Sequence, residues 1–241
     1  MEGTCTVITG APGSGKTLGW VRWLVDDFLR KKSSGRIITN VRLNLDIICD
    51  YVCTSANTFL SRRFGFVPAY DSLYERFILM NEDDCRSLRE TFDVSSWFNA
   101  RLGGIEDCYI CLDEVHTYVA TGFSVNYLRS WGNFLAVLRH SHARFCGISQ
   151  DISQIDRVLK SRVENRIEYV SADALRDPYF RIPIGEWCRL FSACLGRYVR
   201  PVCLKNYVRS VNGAWRVSSS ESHMLSDRYF GFYDSYQKEC L

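Results

Sequence analysis

Gly10-Ala11-Pro12-Gly13-Ser14-Gly15-Lys16-Thr17 decides the fold of this chain. The stretch fits G-x-x-x-x-G-K-[ST] at every fixed position, follows the strand-like run Thr4-Cys5-Thr6-Val7-Ile8-Thr9, and opens a helix-like run from Lys16 onward. Strand, glycine-rich loop and helix in that order make a phosphate-binding loop. The glycines let the chain wrap a phosphate group, with backbone N–H groups converging at a helix start where the dipole also favours negative charge. Gly10, Ala11, Pro12, Gly13, Ser14, Gly15, Lys16 and Thr17 are therefore the expected nucleotide-binding residues. Within them Lys16 is placed to contact the β- and γ-phosphates, and Thr17 supplies a hydroxyl for Mg²⁺. A glycine-rich turn that binds nothing is the plain alternative, and the intact context argues against it.

Working outward, Leu18 to Leu29 carries apolar residues at helical spacing and ends in Arg30-Lys31-Lys32 before Ser33-Ser34-Gly35. Cations in the last turn and a glycine beyond it are a helix stop. Arg36-Ile37-Ile38-Thr39-Asn40-Val41 then reads as a second strand. Strand, helix and strand in this order form a βαβ unit, which implies a parallel sheet flanked by helices. Asn44 to Arg101 reads as a helical insertion between sheet strands, with helices around Ser55 to Arg63 and Asp71 to Asn81, and with Asn81-Glu82-Asp83-Asp84 as a turn or helix start. Three further segments follow, a strand over Asp107 to Leu112, an amphipathic helix over Leu128 to Arg139, and a buried strand over Arg144 to Ser149. Asp151 to Arg162 is expected to be a short helix and Arg166 to Val170 another strand. Asn212-Gly213 between Val202 to Ser210 and Trp215 to Ser219 is a hairpin signal. The expectation is an α/β core over residues 1–178 with a mainly parallel sheet, followed by a small β-rich C-terminal extension over residues 179–241.

The chemistry gathers at strand ends, since ligands bind at the carboxyl edge of such sheets. Asp113 and Glu114 close an apolar strand, and an acid there holds Mg²⁺ in phosphate-loop proteins. Asp113 joins Thr17 as the expected metal residue, while Glu114 is placed to orient and deprotonate the attacking water. Gln150, at the end of the next strand, senses the γ-phosphate or aligns the water, or else is a solvated strand end. Among Arg129, Arg139, Arg157 and Arg162, one is expected to act across a subunit boundary on the transition-state charge; Arg139 enters the catalytic set with Glu114, Lys16 and Gln150. His140 and His142 lack the partners a metal site requires, and read as helix-capping residues or contacts to the nucleotide site.

The 241 residues suffice for one sizeable core, and the apolar fraction of 46% with 24% charged is that of a globular protein. A net charge of +3 does not by itself announce a nucleic-acid partner. Eleven cysteines, odd in number and scattered, with no signal peptide before the first strand, fit a reduced cytosolic setting. Cys108 and Cys111 have C-x-x-C spacing but share a strand, where residues three apart face opposite ways. Cys188, Cys194 and Cys203 with Cys240 or His223 form a zinc set only if irregular spacing is set aside. No apolar run reaches the length of about 18 residues that a membrane helix needs.

Taken in order, Val7 to Thr17, Arg36 to Val41, Leu112-Asp113-Glu114-Val115-His116, Leu138-Arg139-His140, Ile148-Ser149-Gln150 and Ile155-Asp156 resemble the zonular occludens toxin (Zot)-like proteins. Those proteins include the assembly ATPase of filamentous phages and belong to the FtsK–HerA group of P-loop motors. The resemblance covers about residues 4 to 171, and Tyr233-Asp234-Ser235-Tyr236 is similar to a tyrosine segment that closes the same domain in that family. It implies an ATP- and Mg²⁺-dependent homo-oligomeric ring acting on viral DNA, with Lys16, Thr17, Asp113, Glu114 and Gln150 at the nucleotide. Typical members continue through a membrane helix into a periplasmic domain, which this sequence lacks. It is then a piece of a longer protein, a membrane-free relative working with a separate membrane or assembly partner, or a relative of the viral genome-packaging ATPases. A small-molecule phosphotransferase and a nucleotide-gated scaffold with little turnover are the competing functions.

Overall fold

The computed structural model describes residues 5–29, 35–56, 70–171, 199–209 and 214–234, together with Cys194. Strands β1 (Cys5–Thr9), β2 (Arg36–Thr39), β3 (Phe77–Leu79), β4 (Cys108–Leu112), β5 (Arg144–Ile148), β6 (Asn165–Ser171), β7 (Val199–Arg209) and β8 (Trp215–Ser226) form one sheet in the order β3-β2-β4-β5-β1-β6-β7-β8. From β3 to β6 every neighbouring pair is parallel, and β7 and β8 add an antiparallel hairpin to the β6 side. The hairpin's strands run longer than the sequence pattern indicates, and its Asn212-Gly213 tip lies outside the described residues.

Central strands of a parallel sheet are covered on both faces and so read as near-continuous apolar runs. All five residues of β4, Cys-Tyr-Ile-Cys-Leu, are buried. Alternate side chains feed two different cores. Cys108, Ile110 and Leu112 join Val7, Ile38 and Phe145 on one face, whereas Tyr109 and Cys111 join Ile8, Ile37, Cys146 and Ile148 on the other. Cys108 and Cys111 therefore face apart, as strand geometry requires. No group of three or more metal-ligating side chains occurs among the described residues.

Helices α1 (Lys16–Trp23), α2 (Leu45–Ala56) and α3 (Tyr70–Tyr74) cover one face. The other face carries α4 (Glu82–Glu90), α5 (Val94–Leu102), α6 (Val125–Val137) and α7 (Arg157–Arg162). Beyond Trp23 the α1 helix widens into a π-helical turn over Leu24–Phe28, so the helical run continues, with Leu24, Val25, Phe28 and Leu29 buried. Trp20, Val21, Leu24 and Val25 all have no exposed surface.

The insertion after β2 departs from expectation. α2 begins at Leu45, while most of Ser55 to Arg63 lies outside the described residues. Asp71 to Asn81 is not one helix: a single short helix gives way to β3, whose Phe77, Ile78 and Leu79 pair with Ile37, Ile38 and Thr39. Three residues are too few to show alternation, so periodicity could not separate strand from helix there. Asn81 does start a helix, through a capping box in which its side chain accepts from Asp84 N–H at 2.8 Å and the Asp84 carboxylate accepts from Asn81 N–H at 3.2 Å. The single helix expected over Asp151 to Arg162 is split into a 3₁₀ turn over Ile152–Gln154 and α7, capped separately by Asp151 and Asp156.

At Gly19, α1 lies directly against a β6 side chain. A Cβ added there would stand 2.1 Å from the Tyr169 hydroxyl and 2.4 Å from ring carbons of that buried side chain on β6. Gly19→Ala is expected to lower stability by about 1–3 kcal/mol, the usual cost of overpacking. Tyr169→Leu in the same chain should recover part of that loss in chemical denaturation, and strictly additive effects would contradict the contact.

Candidate active site

Because β2, β4, β5 and β1 are neighbours and parallel, the residues that leave their carboxyl ends meet at one edge. β1 delivers the phosphate loop, β2 delivers Asn40, β4 delivers Asp113 and Glu114, and β5 delivers Ser149 and Gln150.

The loop is shaped by its own backbone. Gly13 and Gly15 sit at φ 69° and 89°, in left-handed conformations that glycine adopts without strain. Ser14 N–H donates to Ala11 O at 3.0 Å, and the first i→i−4 bond of α1 is Gly19 N–H to Gly15 O at 2.8 Å. The N–H groups of Lys16, Thr17 and Leu18 consequently have no acceptor within their own helix. Lys16 Nζ turns back onto Gly10 O and Ala11 O, at 2.8 and 3.1 Å. Burial lowers its pKa, against the upward pull of the Glu114 and Asp113 carboxylates.

Thr17 Oγ1 donates to Asp113 Oδ2 at 2.9 Å, joining the helix start to the β4 end across the intervening β5. Asp113 Oδ1 accepts from Glu114 N–H at 2.9 Å. Burial raises the Asp113 pKa, and the Thr17 hydrogen bond works against that rise. Glu114 adopts φ 49° and ψ 48°, an uncommon left-handed conformation for a non-glycine residue, which turns the chain away from the strand. Its Oε2 is buried, accepts no hydrogen bond, and lies 3.2 Å from His116 Nδ1. The same Nδ1 is 3.5 Å from Ser149 Oγ, whose hydroxyl is also within reach of Asp151 O and Gln154 Oε1.

An anion and a hard cation both fit what is present. Ser14 Oγ is buried with no hydrogen-bond partner, and the Lys16 ammonium is bonded to two neutral carbonyls, groups that a phosphate would satisfy. The Thr17 hydroxyl and Asp113 carboxylate are an oxygen pair of the kind Mg²⁺ prefers.

The sequence-derived set does not assemble completely. Lys16, Thr17, Asp113 and Glu114 meet; Gln150 adjoins them through its backbone, since Gly10 N–H donates to Gln150 O at 3.2 Å, while its side chain is exposed. Arg139 does not join them within the chain. It lies on the exposed turn after α6, and its guanidinium is held by Glu164 immediately before β6, at the opposite edge of the sheet. His140 and His142 share that turn, so a contact with the nucleotide site of their own chain is excluded by strand direction. Two contributors were not singled out from sequence. His116 lies two positions beyond Glu114, too short a spacing to signal a shared site. Arg166 on β6 reaches the base of the loop, with Nε donating to Thr9 Oγ1 at 3.3 Å and the guanidinium 4.9 Å over the Tyr207 ring.

A mainly parallel sheet covered by helices on both faces, with a phosphate loop after β1 and an acid pair after β4, is the fold of the P-loop NTPases. The family model described as zonular occludens toxin (Zot) matches residues 4–179. The chain belongs to the Zot family. Among solved structures, the N-terminal domain of zonular occludens toxin from Neisseria meningitidis superposes with a TM-score of 0.50 at 14% identity, covering 97% of this chain and 100% of that one. B204, the DNA-packaging ATPase of Sulfolobus turreted icosahedral virus, gives a TM-score of 0.47 at 13% identity over 91% of this chain and 96% of that one. The genome packaging NTPase B204 from Sulfolobus turreted icosahedral virus 2, in complex with ATP-gammaS, gives 0.42 at 13% identity over 91% and 96%. At such identities the likeness is one of fold, and of these three the Neisseria domain superposes well enough to bear on it. No curated protein sequence matches.

The raised Asp113 pKa has a thermodynamic consequence. With a folded pKa above its ordinary value of 3.8, the folded state holds the proton to higher pH, so this group costs stability as pH rises through 3.8 and on through the folded pKa. Asp113→Asn should therefore raise the melting temperature of the metal-free protein at pH 7. The amide can still accept from Glu114 N–H and donate to Thr17 Oγ1, because a hydroxyl serves either role. The gain should shrink below pH 3.8, where the acid is protonated in both states, and a lowered melting temperature at pH 7 would refute the account.

Proposed function

We propose that this protein is an Mg²⁺-dependent ATPase that works as a motor on viral DNA during virion assembly, extrusion or genome packaging. The observation that carries the catalytic part is the 2.9 Å hydrogen bond from Thr17 to Asp113, with Glu114 next in the chain. It brings a phosphate loop, a metal-binding oxygen pair and a base to one edge. Zot family membership supports the motor part, together with the homo-oligomeric ring and viral DNA partner that the family resemblance implies.

In this reading the loop N–H groups and Lys16 bind the triphosphate, with Lys16 leaving the Gly10 and Ala11 carbonyls for the β- and γ-phosphates. Thr17 Oγ1 and Asp113 would hold Mg²⁺, which would supply positive charge to offset that of the phosphates. Glu114 Oε2, which accepts no hydrogen bond, orients water and takes its proton as the water oxygen bonds to the γ-phosphorus, while the bond from that phosphorus to the β–γ bridging oxygen breaks. His116, 3.2 Å from that oxygen, limits where the carboxylate points. Gln150 aligns the γ-phosphate end of the site, its backbone tied to Gly10. No helix among the described residues is long and apolar enough to cross a membrane, and the proposed place of action is the host cytoplasm, with a separate membrane or assembly partner.

Purified protein should hydrolyse ATP with Mg²⁺, faster with DNA present, and assemble into a ring seen by native mass measurement. Glu114→Gln is expected to keep ATP binding and lose hydrolysis by roughly 10²–10⁴-fold, the range for a general base. Full activity in that variant would remove the assigned role. Phosphorylation of a nucleoside in place of water would establish a phosphotransferase, and binding without turnover a scaffold.

A further inference from the structure

We infer that Asn40 is a positioning residue for Asp113, its side-chain amide continuing the sheet beyond the last backbone pair and so fixing the metal-facing carboxylate. The inference rests on the proposed assignment of Asp113 to Mg²⁺.

Backbone pairing between β2 and β4 runs from Arg36↔Cys108 to Thr39↔Cys111. Beyond it, the Asn40 side chain takes over from the backbone. Its Oδ1 accepts from Asp113 N–H at 2.7 Å, and its Nδ2 donates to Asp113 O at 3.0 Å. A carboxamide carries an acceptor and a donor side by side, as a peptide group does, so one side chain satisfies both backbone groups of Asp113. Both peptide planes flanking Asp113 are thereby fixed. Nδ2 also lies 3.3 Å from the hydroxyl of buried Tyr118, which orients the amide from a further direction.

The geometry downstream depends on this clasp. The peptide that Asn40 holds through Asp113 O is the one whose N–H, on Glu114, donates to Asp113 Oδ1. That same peptide leads into the left-handed Glu114, a conformation that persists only where its surroundings impose it. Aspartate at position 40 has the same shape and keeps the acceptor for Asp113 N–H. Its second oxygen, however, would face the Asp113 carbonyl with no proton to share. Alanine would leave both backbone groups without their partner.

The test compares wild type, Asn40→Asp, Asn40→Ala and Asp113→Asn in the full chain. Binding of a non-hydrolysable ATP analogue is measured by calorimetry with Mg²⁺ and in EDTA, beside melting temperature and the Mg²⁺ midpoint of hydrolysis. Both Asn40 variants should lose about 10-fold or more of the affinity gained from Mg²⁺, as expected for a residue that orients a metal ligand, while affinity in EDTA is retained. An unchanged Mg²⁺ gain, or an equal loss with and without Mg²⁺, would overturn the inference, the latter marking a purely structural residue. Asn40→Asp, of the same shape as the native residue, keeps the test open if Asn40→Ala does not fold. If Asp113→Asn also leaves the Mg²⁺ gain intact, the metal assignment fails and takes the inference with it. If Asp113→Asn alone abolishes the gain, the metal assignment stands and Asn40 has no part in it.

Discussion

A carboxylate that burial disfavours is kept at the junction of two elements by one hydroxyl and one N–H: Asp113 accepts from Thr17 across the width of one strand and from the Glu114 backbone beside it. The site depends on that juxtaposition. It requires β4 and β1 to end at the same edge with β5 between them, and this in turn requires parallel strands with crossover helices on the faces. The two hydrophobic cores hold the strands in register, and register sets where Thr17 and Asp113 meet. Local chemistry at the edge is thus a consequence of apolar packing well below it.

The same junction shows how function and stability pull apart. Left without a cation, Asp113 is a charge in a place where the neutral acid is favoured, offset by one hydroxyl and one N–H. Lys16 is in the converse position, an ammonium whose burial favours the neutral amine, bonded meanwhile to carbonyls of its own loop. Opposite charges are each held at a cost, close enough to feel one another, in a geometry that a metal-bound triphosphate would complete. Sites that are strained in this way are where local rules are expected to be broken for function.

Much of this was legible in the sequence where the signal is local. The loop, the apolar β4 run ending in Asp113-Glu114, and the α1 periodicity each carry their meaning within a dozen residues or fewer. β3 was hidden because a three-residue strand has no measurable period, and the helix read over Asp71 to Asn81 absorbed it. That Arg139 lies at the sheet edge opposite the nucleotide site of its own chain is not legible in the sequence, because strand direction and not sequence order sets which edge a turn occupies; the role expected of it lies across a subunit boundary. Asn40 stood out only as part of a family pattern, since its partner is separated from it by 73 positions and their hydrogen bonds exist only after β2 and β4 are paired. The phosphate site is local chemistry; the network of Glu114, His116, Ser149 and Gln154 is a product of topology.

The helix that presents the loop is enclosed rather than laid on a surface. The sheet lies on one side, where Gly19 meets the Tyr169 ring, and the segment after β8 reaches the same helical run through the Tyr229 hydroxyl, which bonds to Asp26; that segment is itself tied to the residues after β2, where Asn44 N–H donates to Phe232 O at 2.8 Å and Asp234 N–H donates to Arg42 O at 3.0 Å. Held by the sheet and by the segment after β8, α1 is a fixed footing for the loop. Under the proposed function, any rearrangement around a bound nucleotide falls to the Lys16 side chain, the carboxylates and the loops that frame them.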